Sequence, residues 1–143
     1  MIILDVNVLV AAYLATHERH EASVRFLEDC LFSGDTAAPD VVWSGFIRIV
    51  TNPEVVNPVN PWSEIRAFTD TVRNHPGYRS DVRGLNGPLD SFLALCQVAD
   101  AHHNLVSDAY IAAVAIEHNA SVGTWDTDFD KLPVSVVHPT VRS

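Results

Sequence analysis

Four aspartates give this sequence its chemistry. Asp5 lies near the end of the apolar run 2–6. Asp108 follows Ser107 at the head of a helical pattern. Asp126 and Asp128 come just after the short apolar run 120–124. If those two runs are neighbouring parallel strands, the carboxylates converge on one edge of a sheet, and ligands of open α/β sheets bind outside the carboxyl ends of the strands. Unpaired carboxylates a few ångströms apart repel, and some take up protons. A hard divalent cation removes the conflict: Mg²⁺ takes oxygen ligands, keeps several waters and is held by a few carboxylates together with substrate phosphate. The chemistry that fits is metal-assisted phosphodiester hydrolysis. The cation lowers the pKa of bound water, orients it and stabilises charge on the phosphate and leaving oxygen. Spacing alone leaves plainer readings open. Acidic loops are often only solvated, and Asp5 could simply cap the next helix with Asn7 sharing the work.

The elements that must position these residues follow from periodicity. Ser107 is read as an N-cap that puts Asp108 in the first helical turn, where free N–H groups favour a carboxylate. Ile111, Val114, Ala115 and His118 then recur at helical spacing, and Asn119 suits a left-handed helix end. Earlier helices are expected over 8–14, 20–33, 41–51 and 62–74. Gly34 closes the second, Pro39 and Asp40 open the third, and Asn52-Pro53 ends it. A further helix begins at Pro88 with Leu89, Phe92, Leu93, Cys96 and Ala99 as its core stripe, and His102 and His103 in its last turn. Strands are expected at 2–6, 35–38, 120–124 and 134–137. Helices alternating with strands apolar on both faces predict an α/β fold with a mostly parallel sheet.

Composition narrows the function. The 143 residues are 48% hydrophobic and 19% charged, which predicts one globular domain over 1–143 and excludes a disordered chain. A formal net charge of −9 argues against a general nucleic-acid coat protein, whose affinity comes from Lys and Arg on phosphates. Cys30 and Cys96 match no metal or redox spacing and read as free thiols in a reducing compartment. The apolar N-terminus lacks the basic start and cleavage site of a signal peptide, and it is shorter than the roughly 20 residues of a membrane span. A cytoplasmic protein is expected. His17 and His20 could face a metal but lack the other ligands of a zinc site, so a solvated helix end fits better. Arg66 and Arg73, two turns apart, with Arg79 and Arg83 downstream, form either a local phosphate-binding patch or a solvated face.

The segments ILDVNVLVAAYL and SDAYIAAVAIEHNASVGTWDTDF resemble the opening and closing motifs of PIN-domain ribonucleases, specifically VapC-type toxins of bacterial toxin–antitoxin pairs. The central WSGFIRIVTNP resembles a segment of one actinobacterial-type subgroup, and the likeness runs in order over nearly the whole chain. It implies a three-layer α/β/α domain with a mostly parallel central sheet. It also implies Mg²⁺-dependent (or Mn²⁺-dependent) endoribonuclease activity, a VapB-type antitoxin that occupies the active site, and a homodimer. Asp5 matches the first catalytic Asp and Asn7 the polar residue two places on. Asp108 matches the acidic residue opening the late helix, and Asp126 and Asp128 match the two Asp of the closing motif. Thr124 matches a hydroxyl residue that orients metal, water or phosphate. The implied catalytic set is Asp5, Asp108 and Asp126, with Asp128 joining them around the metal.

One departure stands out. The family's Glu in the helix after the second strand has no counterpart, because Ser44 or Gly45 occupies the matching position. The site is then expected to hold one ion rather than two, or to hold its metal through water and Ser44. A catalytically weak or inactive PIN-like module that binds RNA or antitoxin is the alternative. RNA binding would rely on the metal and on Arg48, Arg66, Arg73, Arg79 and Arg83, while a basic antitoxin segment would be drawn to the same carboxylates. A phosphatase using Asp5 as nucleophile needs a separate acid–base group, which Asn7 cannot supply.

Overall fold

The computed structural model describes residues 1–140. Its elements run β1 (Ile2–Leu4), α1 (Val6–Tyr13), α2 (His20–Ser33), β2 (Thr36–Ala37), α3 (Asp40–Val50), α4 (Trp62–Arg73), α5 (Leu89–Val98), α6 (Asn104–Glu117), β3 (Ser121–Gly123), a 3₁₀ turn (Thr127–Lys131) and β4 (Val136–Val137). All strand pairs are parallel, in the order β2-β1-β3-β4. Helices cover both faces of the sheet: Ile3 and Leu4 point to opposite sides of β1, and both are fully buried. This is the expected three-layer α/β/α arrangement. No helix among the described residues is long and apolar enough to cross a membrane.

The register of the central pair sets up the site. Ile2 pairs with Ser121 and Leu4 with Gly123, so the next residues, Asp5 and Thr124, leave the sheet side by side. The Asp5 N–H donates to the Gly123 carbonyl at 2.9 Å. Behind them α1, α3 and α4 are joined by Tyr13, Trp43, Phe46 and Phe68. Tyr13 packs edge-on to Phe46, and Phe46 stacks on Phe68 at 5.3 Å.

Three helix boundaries differ from expectation. α1 starts at Val6 because Asp5 caps it, Oδ1 accepting from the Val6 N–H at 2.7 Å. α6 starts at Asn104, so Ser107 is no cap and Asp108 stands in the second turn. His103, at φ +52°, precedes α6 without capping it through its side chain, which left no signal in the sequence. α5 ends at Val98, before His102 and His103. Its predicted core stripe is mostly open: Leu89 and Leu93 are exposed and Phe92, Cys96 and Ala99 half-buried, while the one buried residue of the helix, Leu95, lies outside that stripe. The helix packs against α6 by one narrow face. At the far end of α6, Asn119 takes φ +51°, the left-handed helix end expected of it.

Candidate active site

Thr124 is the hub of the carboxyl edge. Its buried hydroxyl donates to Asp5 Oδ2 at 2.7 Å and accepts from the Asp126 N–H at 2.9 Å and from Asn7 Nδ2 at 3.2 Å. Asn7 Oδ1 accepts from the Trp125 N–H at 3.1 Å, so the first turn of α1 is tied to the segment leaving β3. Asp126 Oδ1 then accepts from the Asp128 N–H at 2.8 Å and caps the 3₁₀ turn. His138 Nδ1 lies 2.6 Å from the Thr124 carbonyl and fixes the same peptide from the β4 side.

These bonds present Asp5 and Asp126 to one cleft of about 340 Å³, which Asp108 lines from α6 together with Asn7, Arg48, His17, Asn104 and Ser107. Burial pushes the Asp5 carboxyl above its ordinary value; the bonds from Thr124 and Val6 oppose that shift, and the Asp126 charge adds to it. Asp108 is pushed up to about 7, first by burial and then by the charges of Asp5, Asp126 and Asp128. No described cation stands within ion-pair distance of Asp5, Asp108 or Asp126. An all-oxygen donor set under mutual repulsion fits a hard divalent cation such as Mg²⁺ or Mn²⁺. Among the described residues no three His, Cys, Asp or Glu are already gathered as a metal-holding group.

The other predicted site residues divide. Arg48, from the last turn of α3, lines the cleft. Ser44 is exposed and lies outside the lining, one helical turn earlier, with too short a side chain to follow Arg48 inward. Asp128 is also exposed and outside the lining; it pairs with Lys131 at 3.1 Å and reaches the site only as a charge felt by Asp108. The arginines of the expected patch are each ion-paired, although Arg73 and Arg83 line one pocket. Arg66 and Arg73 both pair with Asp70, which lies between them on α4, at 3.1 and 3.9 Å. Arg79 pairs with Asp35 and Asp81, and Arg83 with Asp40.

Three polar lining residues, Asn104, Ser107 and His17, were missed as part of the site. Asn104, Ser107, Asp108 and Ile111 follow i, i+3, i+4, i+7 spacing and form one face of α6. Reading Ser107 as a cap hid that face. His17 also lines the cleft, while His20 Nδ1 turns to the Ala11 carbonyl at 2.9 Å, so the two do not act as a pair.

Comparison with known proteins agrees with this geometry. The PIN-domain family profile matches residues 2–134. Ribonuclease VapC25 of Mycobacterium tuberculosis is 34% identical over 140 residues, covering 96% of each chain. Ribonuclease VapC31 of the same organism is 35% identical over 142 residues, again covering 96% of each. The crystal structure of VapBC2 from Rickettsia felis, bound to a DNA fragment from their promoter, matches with a TM-score of 0.64 at 16% identity. It covers 96% of this chain and 98% of that one, a likeness of fold. With its strand-end carboxylates held as described, the chain belongs to the PIN-domain family and, within it, to the VapC ribonucleases.

Proposed function

We propose that this protein is a divalent-metal-dependent endoribonuclease, the toxin of a VapBC-type pair, hydrolysing RNA phosphodiester bonds with Mg²⁺ or Mn²⁺. The observation that carries this reading is the set of three unpaired, mutually repelling carboxylates in one cleft. Asp5, Asp108 and Asp126 would hold the ion, with Asp128 adding charge from behind. The ion supplies an activated water and Lewis-acid stabilisation of the phosphate. The chain's own part is positioning: Thr124 orients Asp5 and the Asp126 backbone, Asn7 locks Thr124 and Trp125, and Arg48 faces the incoming phosphate.

The protein's net negative charge repels RNA at long range, so substrate binding falls to the ion and Arg48. The same carboxylates would draw an arginine from a basic segment of a VapB-type antitoxin, which would fill the cation's place. The VapBC relative of known structure supports such a partner. A homodimer is part of the proposal: exposed Leu89 and Leu93, one turn apart on α5, offer apolar surface for a second copy. Free Cys30 and Cys96 suit the reducing cytoplasm. One observation favours a weak or inactive binding module instead, namely the lack of any carboxylate from α3 in the cleft.

Single-turnover RNA cleavage by antitoxin-free protein decides between them, run with Mg²⁺, Mn²⁺ and chelator beside Asp5→Asn and Asp108→Asn. Metal-dependent cleavage lost in both variants is expected. No cleavage of total cellular RNA, with antitoxin binding intact, would establish the inactive module.

A further inference from the structure

The cleft is lopsided. Its carboxylates come from the ends of β1 and β3 and from α6, while α3 contributes Arg48 and Ile49 and no acid. Asp40, the acidic residue of α3, sits in the first turn and pairs with Arg83 at 3.2 Å. A Cβ at Gly45 would meet Val6 Cγ2 at 3.0 Å, so Val6 would have to give by a few tenths of an ångström to admit a side chain there. Arg66, Arg73, Arg79 and Arg83 are each ion-paired. Arg19, Arg25 and Arg48 have no ion-pair partner among the described residues, and of these three Arg48 alone lines the cleft that holds the three carboxylates. An exposed arginine with no described ion-pair partner thus lines the same cleft as the three carboxylates. Its planar fork matches two phosphate oxygens, a geometry that an ammonium lacks.

Charge points the same way. One divalent ion together with one guanidinium neutralises the three lining carboxylates; a second divalent ion would find no donor on the α3 side. We propose that the cleft holds a single divalent cation and that Arg48 takes the other cationic place, binding the scissile phosphate on the side away from the ion. This rests on the nuclease reading above. Arg48 is then a substrate-binding residue, and the absence of an α3 acid from the cleft and the presence there of an arginine with no described ion pair are two parts of one arrangement.

The test uses two readouts other than turnover. Titration of Mn²⁺ into the purified chain, followed by electron paramagnetic resonance, should give one bound ion per chain in the wild type and in Arg48→Gln alike. Binding of a short, mixed-sequence, fluorescein-labelled RNA in Ca²⁺ should weaken about 10- to 100-fold in Arg48→Gln, the range of a charged hydrogen-bonded contact. The slope of log affinity against log salt should fall by about one, and Arg48→Lys should recover the slope but only part of the affinity. Because Arg48 is exposed, Arg48→Gln should melt as the wild type does. Two Mn²⁺ per chain in the wild type, or an unchanged RNA affinity and salt slope in Arg48→Gln, would overturn the inference while leaving the nuclease reading intact. A wild type that binds no Mn²⁺ and cuts no RNA would overturn both.

Discussion

The two edges of the same four-stranded sheet treat aspartates in opposite ways. At the amino edge, Asp35 precedes β2 and lies 3.5 Å from the Met1 amino group and 2.7 Å from Arg79, which also holds Asp81 at 2.9 Å. Hydrogen bonds from the Arg79 guanidinium draw both carboxyls below their ordinary value. At the carboxyl edge, Asp5 and Asp108 are pushed up first by burial and then by neighbouring charge, that of Asp126 on Asp5 and those of Asp5, Asp126 and Asp128 on Asp108, with no described cation in ion-pair range. One edge is built for the folded chain alone and the other for something the chain must bind. A protein under no functional demand would pair or dilute the second cluster, so perturbed carboxylates in a cleft mark the site more sharply than the count of acids does.

The largest expected contrast is catalytic. Asp5→Asn or Asp108→Asn should lower metal-dependent RNA cleavage by more than about 100-fold, exceeding what the loss of an outer-shell partner costs. Asp35→Asn or Asp81→Asn should leave the rate within about twofold under the same single-turnover assay, because exposed pairs of this kind contribute little. A large loss in Asp35→Asn would erase the distinction between the edges.

Thr124→Val sharpens the comparison from within the carboxyl edge. The substitution keeps the shape and removes the hydroxyl that serves Asp5 Oδ2, the Asp126 N–H and Asn7 Nδ2. It should weaken Mn²⁺ binding and cleavage about 10- to 100-fold. It should also destabilise the fold by about 1–3 kcal/mol, the cost of leaving buried polar groups unpaired, measured by denaturant unfolding. Loss of stability with metal affinity unchanged would make Thr124 a purely structural residue.

What could be read from sequence follows the same division. Asp5, Asn7, Thr124 and Asp126 were legible because each lies within a few residues of a strand end, and parallel register brings strand ends together. The α/β class was legible because helical patterns alternate with short strands, of which β1 and β4 are unbroken apolar runs that suit a doubly covered sheet. Asp108 was found, but its setting was not. Its place in the second turn depends on a helix start with no side-chain cap, and Ser107, the residue read as the cap, stands four positions past the N-cap at His103. The arginines misled because helical spacing fixes which residues share a face and says nothing of which neighbour neutralises them; Asp70 does so for Arg66 and Arg73. The stripe on α5 misled for a related reason. Periodicity predicts an apolar face, but tertiary contact decides how much of it is covered, and Leu89 and Leu93 remain exposed.

The smallest effect is a difference in sign. The Asp108 carboxyl, raised in the folded chain from 3.8 to about 7, contributes stability that is fully present below pH 3.8 and is lost as pH rises through about 7. In chelator, Asp108→Asn should therefore melt a few degrees above the wild type at about pH 8, with the gap closing at about pH 5. Added Mn²⁺ should raise the wild-type melting temperature more at the higher pH, where no proton competes for the carboxylates. Asp35 and Asp81 are lowered, so their contribution is present above 3.8 and lost as pH falls through their folded values. Asp35→Asn should then lower the melting temperature slightly at neutral pH and less in high salt, which screens an exposed pair. A melting temperature that drops in both variants at about pH 8 would mean that the carboxyl-edge cluster is held by partners after all, and the contrast between the two edges would have to be given up.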